Sequence, residues 1–448
     1  MGVTVAGSAV AASTPALVID AATGKVLYAE RATDPWYPAS ITKLMTAYVA
    51  LSAVRTGRVT LDTPLTVSEV AHAMPPSKMG FPPGTEVTLD NALKIIMVKS
   101  ANDISVAIAE GIGGSVDGFA DMMNGTAQRL GMQESRFVNP HGLPDDRQQT
   151  SARDMAILAR ALLRDFPEYQ HYFQIGAIKF GRRIMKNHNG LIGRYAGADG
   201  MKTGFICASG FNVVASATRG GKRLITVVMG SPSAAERTIR AAALFDHGFS
   251  SFGWTAPTVE QLPVSALHSP PNMRPYICER RGPMPAEEDT QAALGTQQQG
   301  NGSDGAIVPP GALAFASSGG TRPTLGPRAH FEPIRVWTGR VPPPTTVAAE
   351  EEQDKLVAGK PRASKRAARK ATKVAKEKTK PLPLATVETT GTAKPKAAAA
   401  AAQPKAAHTA GVITDDKPAK ATKAARPATD KKNVAQPKAK DGKAKPNS

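Results

Sequence analysis

Three short groups of residues in this 448-residue chain could do chemistry together. The first is Ser40-Ile41-Thr42-Lys43, a hydroxyl followed three residues later by an amine. A serine hydroxyl is a poor nucleophile until a base takes its proton. Residues three apart on a helix share a face, so the Lys43 amine can reach the Ser40 hydroxyl. Burial and nearby positive charge are what let an ammonium give up its proton near neutral pH. A helix start also offers backbone N–H groups to a developing oxyanion. The plainer alternative is a serine that only caps a helix.

The second group is Ser100-Ala101-Asn102, whose hydroxyl could pass a proton to a leaving amine and whose carboxamide could hold a substrate carbonyl. The third is Lys202-Thr203-Gly204, followed by the β-rich run Phe205–Ala217. On a strand lining a cleft, Lys202 supplies fixed positive charge and Thr203 a hydroxyl for a carboxylate. Gly204 lets a substrate backbone approach closely, and such a strand edge could hold a peptide by β-augmentation. Taken singly, a helix cap, a loop and a turn entering a strand explain each group. Their order and spacing make acyl transfer the reading that uses all three.

The elements that must position them are legible in outline. Ala16–Asp20 and Lys25–Glu30 alternate around Ala22-Thr23-Gly24, a hairpin signal. Helical spacing of apolar residues runs from Pro38 to about Val54, then through 91–97, 104–112, 116–130 and 152–163. The runs FNVVASAT (211–218) and RLITVVM (223–229) flank Arg219-Gly220-Gly221-Lys222, a second hairpin, and a last helix is predicted over 234–245. Strands at both ends with helices between predict an α+β fold: one antiparallel sheet flanked by helices, beside a mostly helical lobe.

The net charge of +19 is concentrated at one end. From Lys355 onward lie 24 of the 56 Lys and Arg and 6 of the 37 Asp and Glu, which leaves the preceding residues almost neutral. That end has no aromatic residue after Trp337. Its Lys/Ala/Pro composition cannot bury enough apolar surface to offset chain entropy, so 351–448 reads as a disordered basic tail. Residues 253–350, rich in Pro, Gly and Gln, read as a linker, and 14–252 as the one folded domain. A nucleic-acid-binding protein would need that domain to be basic, so no specific nucleic acid is expected; the tail would associate, if at all, with anionic wall polymer or lipid headgroups.

Neither the two cysteines, Cys207 and Cys278, nor the eight histidines show metal-ligand spacing, and no metal or cofactor is expected. A Cys207–Cys278 disulfide and two unpaired thiols are both open. No apolar stretch is long enough for a membrane span. Residues 1–13 are small and uncharged around Ala9-Val10-Ala11; they read as the remnant of a secretory signal whose charged start is missing, or as a flexible N-terminus.

Residues 14–252 resemble the low-molecular-weight penicillin-binding proteins, the D-alanyl-D-alanine carboxypeptidases of the serine β-lactamase-like superfamily. The resemblance is carried by ALVIDAATGKVLYAE, YPASITKLMTAYVAL, VKSANDISVAIAE, FVNPHGL, TSARDMAILARALL, GMKTGF and FNVVASAT. It implies a β-lactamase/transpeptidase-like fold and removal of the terminal D-alanine from peptidoglycan stem peptides through an acyl-enzyme, with β-lactams as covalent inhibitors. By similarity Ser40 is the nucleophile, Lys43 its base, and Ser100 and Asn102 complete the proton path and hold substrate. Lys202 and Thr203 would contact the terminal carboxylate, and the Ser40 and Phe205 N–H groups would form the oxyanion hole. Arg237 falls at a carboxylate-binding arginine, and His141 at a cleft histidine near the motif lysine. Such proteins work outside the cytoplasm, in the periplasm.

Two features of the family are not visible, a second β-rich domain and an amphipathic membrane-anchoring helix. An endopeptidase acting on cross-links would use the same residues. A β-lactamase of the main class would need a Glu-x-x-Leu-Asn element for deacylation, and neither Glu134 nor Glu168 opens one.

Overall fold

The computed structural model describes residues 14–251, 255–279 and 325–357. The signal-like residues 1–13 and the basic tail beyond 357 lie outside the described residues.

The chain opens with β1 (Ala16–Asp20) and β2 (Val26–Glu30), paired antiparallel through a turn in which Gly24 takes a positive φ of 74°. A 3₁₀ turn, Ala39–Thr42, leads into α1 (Lys43–Arg55). The helical lobe follows: β3 (Pro64–Thr66), α2 (Glu69–Ala73), β4 (Glu86–Thr88), α3 (Leu89–Val98), α4 (Asn102–Gly113) and α5 (Val116–Leu130). Then come α6 (Ala152–Asp165), α7 (His171–Gln174) and the short hairpin β5 (Ala177–Phe180) and β6 (Arg183–Lys186). Three long strands, β7 (Ala198–Ile206), β8 (Gly210–Arg219) and β9 (Lys222–Ser231), precede α8 (Ala234–Ser250). Further on are α9 (Arg274–Ile277), β10 (Ile334–Arg335) and α10 (Val347–Val357).

The strands at the two ends of the domain make one antiparallel sheet in the order β2-β1-β9-β8-β7, as expected from their patterning. The β8–β9 turn pairs Arg219 with Lys222 across Gly220 and Gly221, both at positive φ, which glycine adopts without steric cost. Period-two alternation sorts the strands. Leu17, Ile19, Val214, Ile225 and Val227 face α6 and the helical lobe, whereas Ala16, Val18, Val213, Ala215 and Val228 face α8. Both faces are covered, which is why β8 and β9 read as nearly continuous apolar runs. Side-chain caps start most helices: Thr88, Ser115, Ser151 and Ser233 each accept an N–H three residues on.

The stretch 253–350, expected as a linker, is packed against the domain in two places. Residues 255–279 run beside β2 and α6: Val26 donates to Pro257 O, and Val259 is fully buried. Residues 325–357 lie across β5. Ile334 and Arg335 pair parallel with Ile178 and Lys179, Phe331 covers Gly176 and Gly193, and Lys179 meets Glu350 at 2.6 Å. Glycine and proline richness hid these contacts because segments of two to four residues carry no measurable period. No helix among the described residues is long and apolar enough to cross a membrane.

Candidate active site

Ser40 sits in the 3₁₀ turn rather than in the first turn of α1, and its side chain does not cap that helix. Ala39, just before it, has a positive φ of 49°, uncommon for a residue with a Cβ. The turn is fixed from behind. Asn212 on β8 donates from Nδ2 to the carbonyls of Tyr37 (3.0 Å) and Pro38 (3.2 Å), and its Oδ1 accepts from the Gly230 N–H. Thr42 Oγ1 donates back to Ala39 O at 2.8 Å.

Lys43 is fully buried, and Nζ has three oxygens around it: Ser40 Oγ at 3.1 Å, Asn102 Oδ1 at 2.8 Å and His141 O at 2.8 Å. An ammonium would donate to all three. A neutral amine would donate to the two oxygens that carry no proton, Asn102 Oδ1 and His141 O, and turn its lone pair to the Ser40 hydroxyl. The cluster therefore suits proton transfer from serine to lysine.

The second group lies at the start of α4, where Asn102 is the first helical residue. Ser100 has a positive φ of 61°. Asn102 Nδ2 donates to Pro75 O, and its N–H to Ser77 O, so the carboxamide is held with Oδ1 toward Lys43. Asp103 clamps the same loop by accepting the N–H groups of Met79 and Gly80; burial pushes its carboxyl upward against those bonds.

The third group approaches from the sheet. Lys202 Nζ donates to Ser100 Oγ at 2.9 Å and to Thr203 O at 3.0 Å. β7 is the outer strand of the sheet and runs directly against the turn that carries Ser40. A Cβ built on Gly204 would lie 2.8 Å from Ser40 N, 2.9 Å from Ile41 N and 3.0 Å from Pro38 O. Close substrate approach was the expected reason for this glycine. The geometry gives another: the protein's own backbone fills the space. Thr203 is buried beside it, and the Phe205 ring stacks on Phe211 at 4.1 Å.

His141 enters through its carbonyl, which accepts from Lys43, rather than through its ring. The ring Nδ1 accepts from the Leu143 N–H, and burial together with the neighbouring Lys43 charge holds the imidazole down, to about 3. Arg237 is buried on α8 and donates to His188 O at 3.1 Å. That loop is tied to the start of β7 by Asn189 Nδ2, which donates to Gly200 O. Sequence reasoning missed Asn212 and Asp103; only the acid next to the Ser100-Ala101-Asn102 group gave any signal. Among the described residues no group of three or more His, Cys, Asp or Glu could hold a metal ion.

Cys207 and Cys278 form a disulfide with Cα atoms 5.8 Å apart, which settles the pairing left open by the sequence. It ties the end of β7 to the segment once expected as linker.

Comparison with known proteins gives the family. The D-alanyl-D-alanine carboxypeptidase family model matches residues 2–233. The chain is 37% identical over 241 residues to D-alanyl-D-alanine carboxypeptidase DacA of Haemophilus influenzae, covering 53% of this chain and 61% of that one. It is 37% identical over 243 residues to DacF of Bacillus subtilis, covering 53% and 62%. The chain thus spans about three fifths of the length of the curated relatives it matches. The crystal structure of penicillin-binding protein 5 from Haemophilus influenzae superimposes with a TM-score of 0.52 at 36% identity, over 53% of this chain and 71% of that one. Penicillin-binding protein 6B from Escherichia coli gives 0.51 at 35%, over 53% and 77%. With the family model covering more than half of its length, the chain belongs to the D-alanyl-D-alanine carboxypeptidase family.

Proposed function

We propose that this protein is a serine D-Ala-D-Ala carboxypeptidase acting on peptidoglycan stem peptides through an acyl-enzyme. The observation that carries the reading is the joining of three remote segments: Lys43 Nζ to Ser40 Oγ and Asn102 Oδ1, and Lys202 Nζ to Ser100 Oγ. Residues 14–252 form the catalytic domain in this reading.

Lys43 takes the Ser40 proton as Oγ attacks the carbonyl between the two D-alanines. The N–H groups of Ser40 and Phe205 receive the oxyanion, each such donor contributing about 3–4 kcal/mol. Ser100, hydrogen-bonded to Lys202, returns the proton to the departing D-alanine amine. Lys202, Thr203 and Arg237 face the leaving carboxylate, and Asn102 steadies both Lys43 and the substrate amide. Water then attacks the ester with Lys43 again as base, which releases the shortened peptide and restores Ser40.

A β-lactam acylates the same serine and is released slowly. Glu134 is engaged with Arg153 and Ser151 rather than free to activate a deacylating water, and Glu168 is exposed. An extracytoplasmic location, the periplasm, fits the disulfide, which persists in oxidising compartments.

Two measurements test this. Mass spectrometry after penicillin treatment should place one adduct on Ser40, absent from Ser40→Ala. D-Alanine should be released from diacetyl-Lys-D-Ala-D-Ala. Penicillin hydrolysis at hundreds per second with no D-alanine release would instead make the protein a β-lactamase.

A further inference from the structure

The segment after α8 meets the stretch leading to Ser40 and the end of β7. Ser265 Oγ donates to Asp34 Oδ1 at 2.9 Å, six residues ahead of Ser40. The Met273 N–H donates to Ala208 O at 2.9 Å, and the Cys207–Cys278 disulfide closes the contact. Residues 273–278 are thus clamped beside the β7–β8 turn, two to three residues past Phe205.

Strand direction decides what would pass there. β7 is the outer strand, so a peptide can lie along its open edge. If the terminal carboxylate meets Lys202 and Thr203 and the reacting carbonyl meets Ser40 and Phe205, going from Thr203 to Phe205 climbs the substrate away from its C-terminus. At roughly 3.3 Å per residue, the residue preceding the two D-alanines comes level with Cys207 and Ala208.

We infer that residues 273–278 form a subsite for the residue preceding the D-Ala-D-Ala pair, and that it favours a side chain ending in a carboxylate. The inference rests on the function proposed above. Arg274 and Cys278 are four residues apart across one helical turn, so they share a side, and Cys278 is bonded to the strand. Arg274 is exposed and has no ion-pair partner among the described residues. Tyr276 is 61% exposed, whereas Ile277 is buried and seats the turn. A guanidinium there attracts a carboxylate and repels an ammonium.

The test compares three acetylated tripeptides, X-D-Ala-D-Ala, that differ only in X: aminoadipyl, Nε-acetyl-lysyl and lysyl with a free amine. Rates of D-alanine release at equal concentration below saturation should fall in that order, with about tenfold between first and last. Arg274→Glu should invert the order, and Cys207→Ser/Cys278→Ser should flatten it. Arg274 is a surface residue, so the first variant keeps the test alive if the second folds poorly. Equal rates for the three peptides in the wild type, or an order unchanged in Arg274→Glu, would overturn the subsite. Absence of both D-alanine release and a penicillin adduct on Ser40 would instead sink the carboxypeptidase reading.

Discussion

Gly204→Ala isolates the contact between the sheet and the turn that carries Ser40, the proposed nucleophile. The new methyl would meet Ser40 N at 2.8 Å, Ile41 N at 2.9 Å and Pro38 O at 3.0 Å. All three are backbone atoms, and Asn212 holds the Tyr37 and Pro38 carbonyls from behind, so no flexible side chain can yield. Relief to ordinary contact requires β7 and the 3₁₀ turn to part by roughly 0.5–1 Å, an overpacking cost of about 1–3 kcal/mol. In a domain of this size that lowers Tm by on the order of 2–10 °C. The same displacement separates the Ser40 and Phe205 N–H groups, and a misplacement of about 1 Å costs about 10²-fold in rate. The assay is the second-order rate of acylation by a fluorescent penicillin, with a thermal melt alongside. Gly125→Ala is the control: on α5 its methyl would find only Arg129 Nη1 at 3.7 Å, so it should acylate normally and melt slightly higher. Wild-type acylation and Tm in Gly204→Ala would refute the claim that β7 is pressed onto the Ser40 turn.

Two further outcomes are expected. Lys43→Ala should slow acylation by about 10²–10⁴-fold, the usual worth of a general base; near-normal labelling would remove the lysine from that role. The second concerns the buried cluster of Glu134, Arg153 and Asp154, where one guanidinium serves two carboxylates at 3.0 Å and 3.2 Å. Burial, then the Glu134 charge, push Asp154 up to about 8. Its folded pKa lies above the unfolded one, so the folded state holds the extra proton, and stability from this group falls as pH rises from about 4 to 8. Glu134→Gln removes the competing charge, so Tm should decline less between pH 5 and pH 8 than in the wild type. Identical slopes would contradict that coupling.

Much of the layout could be read before folding. The hairpin around Gly220-Gly221, the helices from α3 to α6 and the end strands were visible because each carries a long, regular period. Ser40, Lys43, Ser100, Asn102 and Lys202 were chosen by residue type and spacing, and the fold brings them into two linked hydrogen-bonded groups. What escaped was of two kinds. β3, β4, β5 and β6 have three or four residues each, too few to alternate measurably, and β10 exists only because Ile178 and Lys179 present an edge to it. Asn212, Asp103 and the His141 carbonyl act through backbone contacts between distant segments, and residue type alone does not announce those. The 255–279 and 325–357 segments were misjudged for a related reason. Single anchors such as Val259, Phe331 and Cys278 hold them, and composition averages such anchors away.

The pairing of β1 with β9 has a consequence for the order of events in synthesis. Ala16 lies opposite Val228, more than two hundred residues later in the chain. The ribosome must therefore deliver almost the whole domain before the first strand finds its neighbour, and contacts of such separation form late. Until then the sheet behind the Ser40 turn lacks its β1–β9 closure. In the proposed mechanism, Ser40 therefore gains its complete setting only when the two ends of the domain meet.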